Sequence, residues 1–415
     1  MSIMQEAIAA PTQGRDSRTY WLFTVSAGHG VVHWFQQLYP VIIPSIKSSL
    51  GLNDVQLGAL SSVKQLTSGP LMLPAGMLAD LWVKAPPILL GAALAVFGIA
   101  YFFMGLAPSY GWMLAAVALS GVGTALWHPA AMAGLSLRYP EKRGTALAVH
   151  GATASVGDAI APLAIGGILL VVTWEHLLLW HLIPGLVLGL VVWSMLRSSG
   201  RGTATAEPRP SVRVYGQQVA AYLRNRTVLS IMGVNVLSGV ARVSVVTFFP
   251  LYVKETLGYS TFVLGLYIAL LYAMGAVSQP LMGAWSDRLG RKPVLLAGNL
   301  AMGLLFLAMA VAAPGWQLSL VIAALGCFFY ALSTVIQATL MDAADARVQA
   351  STMGLTGVFS QLVTLPAPIL AGVIASHWGY TATFVYSSVA TLLCVPVLLF
   401  MRVPRTGRKA ARTGG

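Results

Sequence analysis

Long apolar segments follow one another along almost the whole chain, and they decide what it can fold into. There are twelve, at 20–46, 55–79, 87–106, 111–137, 144–171, 177–196, 227–253, 261–285, 293–312, 317–340, 350–375 and 381–401. Each is close to or above the ~20 residues that carry a helix across the hydrocarbon of a bilayer. In lipid every backbone N–H and C=O needs a partner within the protein, so helices are the default, and barrel strands would be about half as long. Only 9% of the residues are charged, against roughly 25% in a soluble domain. The reading is an all-α membrane protein.

A loop sequence that occurs twice divides these spans into halves. After the eighth span runs Gly283-Ala284-Trp285-Ser286-Asp287-Arg288-Leu289-Gly290-Arg291-Lys292; after the second, Gly76-Met77-Leu78-Ala79-Asp80-Leu81-Trp82-Val83-Lys84. The first copy keeps Gly76, Asp80 and Lys84 at matching offsets but has lost the arginine and the second glycine to Leu81 and Val83. The expected organisation is an N-terminal segment 1–19, a six-helix bundle 20–196, a linker 197–226, a second six-helix bundle 227–401 and a basic tail 402–415.

Charge sets the expected orientation. With both termini and every second loop on one side, that side receives all but four of the 25 basic residues. Lys47 and Lys254 fall on the other side, and Lys64 and Arg242 lie within spans. Such a bias marks the first side as cytoplasmic, here of a bacterial inner membrane. It also accounts for the net charge of +13 without nucleic acid. Residues 1–19 do not read as a cleaved signal peptide. Cys327 and Cys394 fall within spans, which argues against a disulfide or a zinc cluster. Asn225-Arg226-Thr227 fits a glycosylation sequon but lies in the cytoplasmic linker. No Gly-Lys dipeptide occurs, so there is no phosphate-binding loop of the Walker type. No nucleophile motif or cofactor signature appears, and no enzyme activity, cofactor or bound metal is expected.

Ionisable groups in hydrocarbon are costly and face a partner or a transport path. By position along their spans, Lys64, Asp158 and Arg242 sit near mid-membrane. Lys64 and Asp158 share the first half and can pair, either as a structural tie or as part of the path. Arg242 has no acid at similar depth in its own half, which leaves a substrate anion or Asp158 as its counter-charge. His29, His33, His128 and His150 lie in spans of the first half, and histidine changes charge near physiological pH. His29 and His33 are four apart and share a helix face; that pair alone is a weak metal signal. His176, His181 and His377 are expected at span ends. Tyr39, near Gln36 and Gln37, can offer a donor to a substrate.

The duplicated loop, the twelve spans and the basic central linker resemble the major facilitator superfamily. Gly121-Val122-Gly123-Thr124-Ala125-Leu126-Trp127-His128-Pro129, Arg143-Gly144, the run Gly157-Asp158 to Pro162, His29, Leu38-Tyr39-Pro40 and Pro44 resemble the fosmidomycin-resistance-type efflux proteins of that superfamily. The resemblance implies two bundles rocking around a central site by alternating access. The helix-5 run also resembles an antiporter signature, with Ala161 in place of its second glycine.

These readings combine into a proton-coupled exporter of a small anionic organic compound, acting as a monomer. Substrate contacts fall to Arg242, Lys64, His33, Tyr39 and His128. Proton handling falls to Asp158, His29, His128 and His150. Gating falls to Gly76, Asp80, Lys84, Gly283, Asp287, Arg288, Gly290 and Arg291. Uptake of a metabolite anion by symport or facilitated diffusion is the alternative within transport, and a membrane sensor without flux is the alternative outside it.

Overall fold

The computed structural model describes residues 13–82, 85–139, 141–197, 224–343 and 349–401, with 217 and 220 between them. Lys84, most of the linker and the 402–415 tail lie outside the described residues, as does the side chain of Asp80. Twelve helices cross the fold, with no strand among the described residues. The first half holds α1 (Gln13–Leu50), α2 (Asp54–Leu81), α3 (Ala85–Gly105), α4 (Tyr110–Arg138), α5 (Arg143–Ile168) and α6 (Trp174–Trp180 continued by Leu182–Arg197). The second half holds α7 (Arg226–Leu251), α8 (Thr261–Leu289), α9 (Arg291–Val311), α10 (Trp316–Phe329 and Ala331–Ala343), α11 (Gln349–Thr364 and Ala367–Trp378) and α12 (Tyr380–Leu392 and Cys394–Phe400).

Ten of these are both long and apolar enough to span a bilayer. The other two, α1 and α2, are 38 and 28 residues long but are interrupted by polar side chains. On α1 these are His29, His33, Gln36 and Gln37; on α2, Gln56, Lys64 and Gln65. The least apolar helices are therefore the ones that build the site.

Local sequence explains the helix ends and breaks. Asn53 and Gln56 form a reciprocal capping box at the start of α2, with bonds of 2.8 and 3.0 Å, which satisfies two otherwise orphaned backbone donors. Asn225, the residue of the sequon, caps α7 by accepting from the Thr227 amide at 2.9 Å. α7 ends in a π turn, Tyr252–Thr256, just after Pro250, and Pro366 and Pro368 split α11 by removing helical donors. Gly290 ends α8 and starts α9 at φ +96°, a conformation that glycine adopts without steric cost.

The two halves meet along two seams, α2 with α11 and α5 with α8. Small residues make both possible. A Cβ on Gly58 would lie 2.2 Å from the Pro368 carbonyl oxygen, and one on Gly265 would lie 2.2 Å from that of Pro162. At one end of the seams Lys47 bonds Asp54 at 2.8 Å and Glu255 at 2.9 Å. Tyr380 donates to Glu255 at 2.6 Å and to Asp54 at 3.1 Å. Towards the middle, Ser62 donates to the Leu365 carbonyl in the α11 break at 2.6 Å, Ser68 to Gln361 at 2.7 Å and Thr364 to Gln65 at 3.0 Å. At the opposite end, which carries the duplicated loops, the pairs Arg18–Glu141, Arg291–Asp287 and Arg291–Asp342 each stay within one half.

Candidate functional site

Close packing of α1 on α5 builds the first part of the site. A Cβ on Gly157 would lie 2.5 Å from the Gly30 carbonyl oxygen, so the glycine lets the helices approach. The neighbouring residue, Asp158, then reaches α1. Its Oδ2 lies 2.9 Å from His33 Nδ1, and its Oδ1 accepts a bond from Gln37 Nε2 at 2.7 Å. Pro162, one turn later, lacks the N–H that would bond the Asp158 carbonyl, so the helix is locally weakened at this residue.

The expected Lys64–Asp158 pair is not formed. Lys64 has no hydrogen bond or ion pair among the described residues, and it lies close enough to His128 to act on it electrostatically. Position along a span gives depth but not direction around the helix axis. Asp158 therefore answers α1, its packing neighbour, while α2 packs on α4, where Lys64 acts on His128.

Four imidazoles gather beside Asp158. His29 and His150 stack with centroids 3.8 Å apart and planes 4° from parallel. His29 meets His33 edge-on at 4.6 Å and His128 at 5.4 Å, and Trp127 flanks it at 6.4 Å. His29 Nδ1 is 2.9 Å from the His150 carbonyl oxygen, and His128 Nδ1 is 3.0 Å from that of Thr124. Ring nitrogens of His29, His33 and His128 all fall within 4.8 Å of one another. The sequence expectation of no metal rested on the isolated His29/His33 pair; the fold adds a third imidazole from α4. His181 departs from its expected place at a span end. It is buried and accepts from Trp34 Nε1 at 3.0 Å, whereas His176 and His377 are exposed.

The second half contributes Arg242 on α7. Its Nη1 is buried with no hydrogen-bond partner among the described residues, and the groups that act on it electrostatically are Tyr330 and Cys394. Tyr330 also feels Asp158, and its hydroxyl lies 2.7 Å from that of Tyr272. Tyr272 in turn neighbours Gln37 and Asp158. Gln37, Tyr272 and Tyr330 thus form a polar path from the carboxylate of one half to the guanidinium of the other. None of the three was singled out as a site residue from sequence. Gln37 carried a usable signal, because 29, 33 and 37 continue one i,i+4 stripe on α1. The tyrosines carried none, since aromatics in membrane spans mostly pack.

Tyr39 is buried, with its hydroxyl 3.4 Å from Ser61 Oγ, and Thr247 of α7 donates to the same oxygen at 3.0 Å. It therefore sits in the contact between halves. In the intact loop, Asp287 pairs with Arg291 at 2.6 Å and Arg291 also holds Asp342 at 2.9 Å and Ser286. Lys292 donates to the Leu399 and Met401 carbonyls at 2.8 and 2.9 Å. Arg288 is exposed. A Cβ on Gly283 would meet nothing within 4 Å, and one on Gly76 would meet only Pro129, at 3.4 Å. Among the described residues, the bonds of the intact loop in this conformation stay inside the second half.

Residues 25–278 and 231–415 match the family model described as Major Facilitator Superfamily. Among curated proteins, the multidrug resistance protein MdtG of Escherichia fergusonii is 30% identical over 169 residues, 39% of this chain and 41% of that protein. The puromycin resistance protein pur8 of Streptomyces alboniger is 32% identical over 164 residues, 39% of this chain and 32% of that protein. The matched stretches thus cover less than half of either relative. Among solved structures, a bacterial homologue of the human lysosomal transporter Spinster superposes with a TM-score of 0.70 at 18% identity, covering 92% of this chain and 95% of that one. The nucleoside transporter NupG superposes with a TM-score of 0.75 at 11% identity, covering 92% and 99%. At these identities the likeness is one of fold.

Proposed function

The chain belongs to the Major Facilitator Superfamily, and we propose that it exports a small anionic organic compound across a bacterial inner membrane in exchange for protons. The single observation that carries this reading is the placement of Asp158 and Arg242. One carboxylate belongs to the first half, one guanidinium with a buried, unbonded Nη1 belongs to the second, and Gln37, Tyr272 and Tyr330 run between them. A buried donor without a partner is unfavourable by about 1–3 kcal/mol. An anion bound between the halves relieves that cost, with Lys64, His33, Tyr39 and His128 as further contacts.

Protons enter the cycle through Asp158 and its histidine neighbours, His29, His128 and His150. Loss of the charge on Asp158 weakens its hold on α1, and its return restores it. Export is supported by the relatives named for drug resistance. With the loop-bearing end facing the cytoplasm, as the charge bias argues, the Lys47 cluster ties the two halves together at the outer end. Binding of substrate and release of protons then bias the rocking of one bundle on the other. The residues of the duplicated loop, Gly76, Asp80, Lys84, Gly283, Asp287, Arg288, Gly290 and Arg291, change partners in the opposite conformation and latch the inner end.

The test is flux in proteoliposomes with an imposed pH gradient, across a panel of phosphonates, carboxylates and cationic drugs. Anion movement coupled to proton movement in the opposite direction is the expected result. Flux indifferent to the gradient would remove proton coupling, co-directional movement would make the protein a symporter, and Arg242→Ala transporting anions at the parent rate would remove the substrate role of Arg242.

A further inference from the structure

We propose that the first half binds a divalent transition-metal ion on His29, His33 and His128. The three residues come from two helices, α1 and α4, and one ring nitrogen of each lies within 4.8 Å of the others. A tetrahedral ion with nitrogen ligands at 2.0–2.1 Å holds those nitrogens about 3.3 Å apart. Contraction of about 1.5 Å at the widest pair closes the set.

The surroundings of each ring argue for a ligand set over a cluster of packing histidines. Metal-bound imidazoles almost always give their second ring nitrogen to a carbonyl or carboxylate oxygen, which fixes the tautomer and aims the lone pair. Two of the three rings show that pattern, and the third lies at ion-pair distance from a carboxylate. His29 Nδ1 faces the His150 carbonyl at 2.9 Å, His128 Nδ1 faces the Thr124 carbonyl at 3.0 Å, and His33 Nδ1 faces Asp158 Oδ2 at 2.9 Å. The last approach has ion-pair distance without hydrogen-bond alignment, since His33 Nδ1 has no bond of good geometry. A carbonyl oxygen only accepts, so His29 and His128 carry their proton on Nδ1 and their lone pair on Nε2. His29 is 7% exposed, and its Nε2 is buried without any partner among the described residues. Such an unpaired buried nitrogen is unfavourable, and an ion at the centre of the three rings gives it a partner.

Donor type selects the ion. Imidazole suits zinc, copper, nickel and cobalt, whereas magnesium and calcium require oxygen cages. Three protein ligands leave a fourth position for water or an anion. His150 stacks flat on His29 and acts as a plate that fixes that ring.

The inference shares His29, His33, His128 and Asp158 with the transport reading, but its test concerns the resting protein without a gradient, so the two fail separately. Tag-free protein in detergent is stripped with a chelator and titrated with Co2+, followed by its visible d–d absorption, and with Zn2+ by calorimetry. One ion per chain is expected, with the intense bands of a low-coordinate nitrogen site. H29Q, H33Q and H128Q each weaken binding at least tenfold, and D158N weakens it about 10–100-fold as the outer partner of His33. H176Q and H377Q, at exposed histidines, leave it unchanged. Absence of Co2+ bands and of Zn2+-induced thermal stabilisation in the parent protein overturns the proposal, and neither measurement depends on a variant folding. Binding that survives the triple histidine variant overturns it as well. A protein that binds Co2+ but moves no anion keeps this inference and loses the transport reading.

Discussion

His33 Nδ1 and Asp158 Oδ2 lie 2.9 Å apart, tying the first helix to the fifth inside the membrane. Gln37 holds the other oxygen of the same carboxylate at 2.7 Å. Asp158 therefore faces two groups of α1, a hydrogen bond from Gln37 and an imidazole at ion-pair distance, and both attractions grow with its charge, since bonds to an ionised acceptor are about twice as strong as neutral ones. Asp158→Asn keeps the shape and removes the charge. In proteoliposomes it should lower gradient-driven flux by at least about 100-fold while exchange of labelled for unlabelled substrate, which needs no net proton movement, persists. Driven flux near the parent rate would take Asp158 out of the coupling path.

Arg242 presents the opposite case, a cation with no partner. Its buried Nη1 is unbonded, so the protein bears a desolvation cost that an apolar side chain would not. Arg242→Met should therefore stabilise the resting protein, raising Tm in detergent by about 2–4 °C for each kcal/mol regained, and abolish anion binding. Stability and function move in opposite directions at such a residue. A fall in Tm on Arg242→Met, with substrate binding retained, would assign Arg242 a structural role.

Much of this arrangement can be read from the chain, and the remainder fails for identifiable reasons. The spans and the halves follow from apolar length and the repeated loop, because lipid leaves the backbone little choice. Breaks at Pro366 and the turn at Gly290 follow from backbone chemistry. Asp158 and the four histidines stand out because polar groups in hydrocarbon are costly. Their partners do not stand out. Lys64 and His33 are at similar depth in the same half, and only the packing of α5 on α1 through Gly157 and Gly30 selects His33. Tyr272 and Tyr330 become visible as a pair only once α8 and α10 are side by side.

The Lys47 cluster supports a prediction about pH and closure. Burial opposes the Lys47 charge, but Asp54 and Glu255 outweigh it and raise its pKa above the ordinary 10.5. A raised cation contributes its stabilisation in full below the unfolded pKa, and that contribution is lost as pH rises through the raised value. From neutral pH to about pH 10, closure of this end should not change on the Lys47 account; it should weaken only above that. Lys47→Met leaves Asp54 and Glu255 without their cation and should destabilise closure by about 1.5–3 kcal/mol. Cysteines placed at this end, reacted with an impermeant thiol reagent, should label faster in Lys47→Met at neutral pH. Equal labelling would show that the seams alone hold the end shut.

Those seams give the sharpest steric prediction. A Cβ on Gly265 would lie 2.2 Å from the Pro162 carbonyl oxygen and 3.4 Å from the Gly166 Cα. Real Cβ atoms do not approach a backbone oxygen so closely, and neither helix can yield without separating, because a packed interface transmits strain instead of absorbing it. Gly265→Leu should therefore exclude the conformation described here and hold the halves apart at the Lys47 end, trapping the carrier with its α5–α8 seam open. Gly265→Ala should do the same in part. Cross-linking of cysteine pairs across α5 and α8 near Gly166 should fall in the order Gly, Ala, Leu, and flux should fall with it. Loop-end thiols, close to Asp287, should become less reactive in the same order if the two ends alternate. Unchanged cross-linking in Gly265→Leu would mean that the seam closes by another route, and unchanged loop-end reactivity would show that the two ends are not coupled.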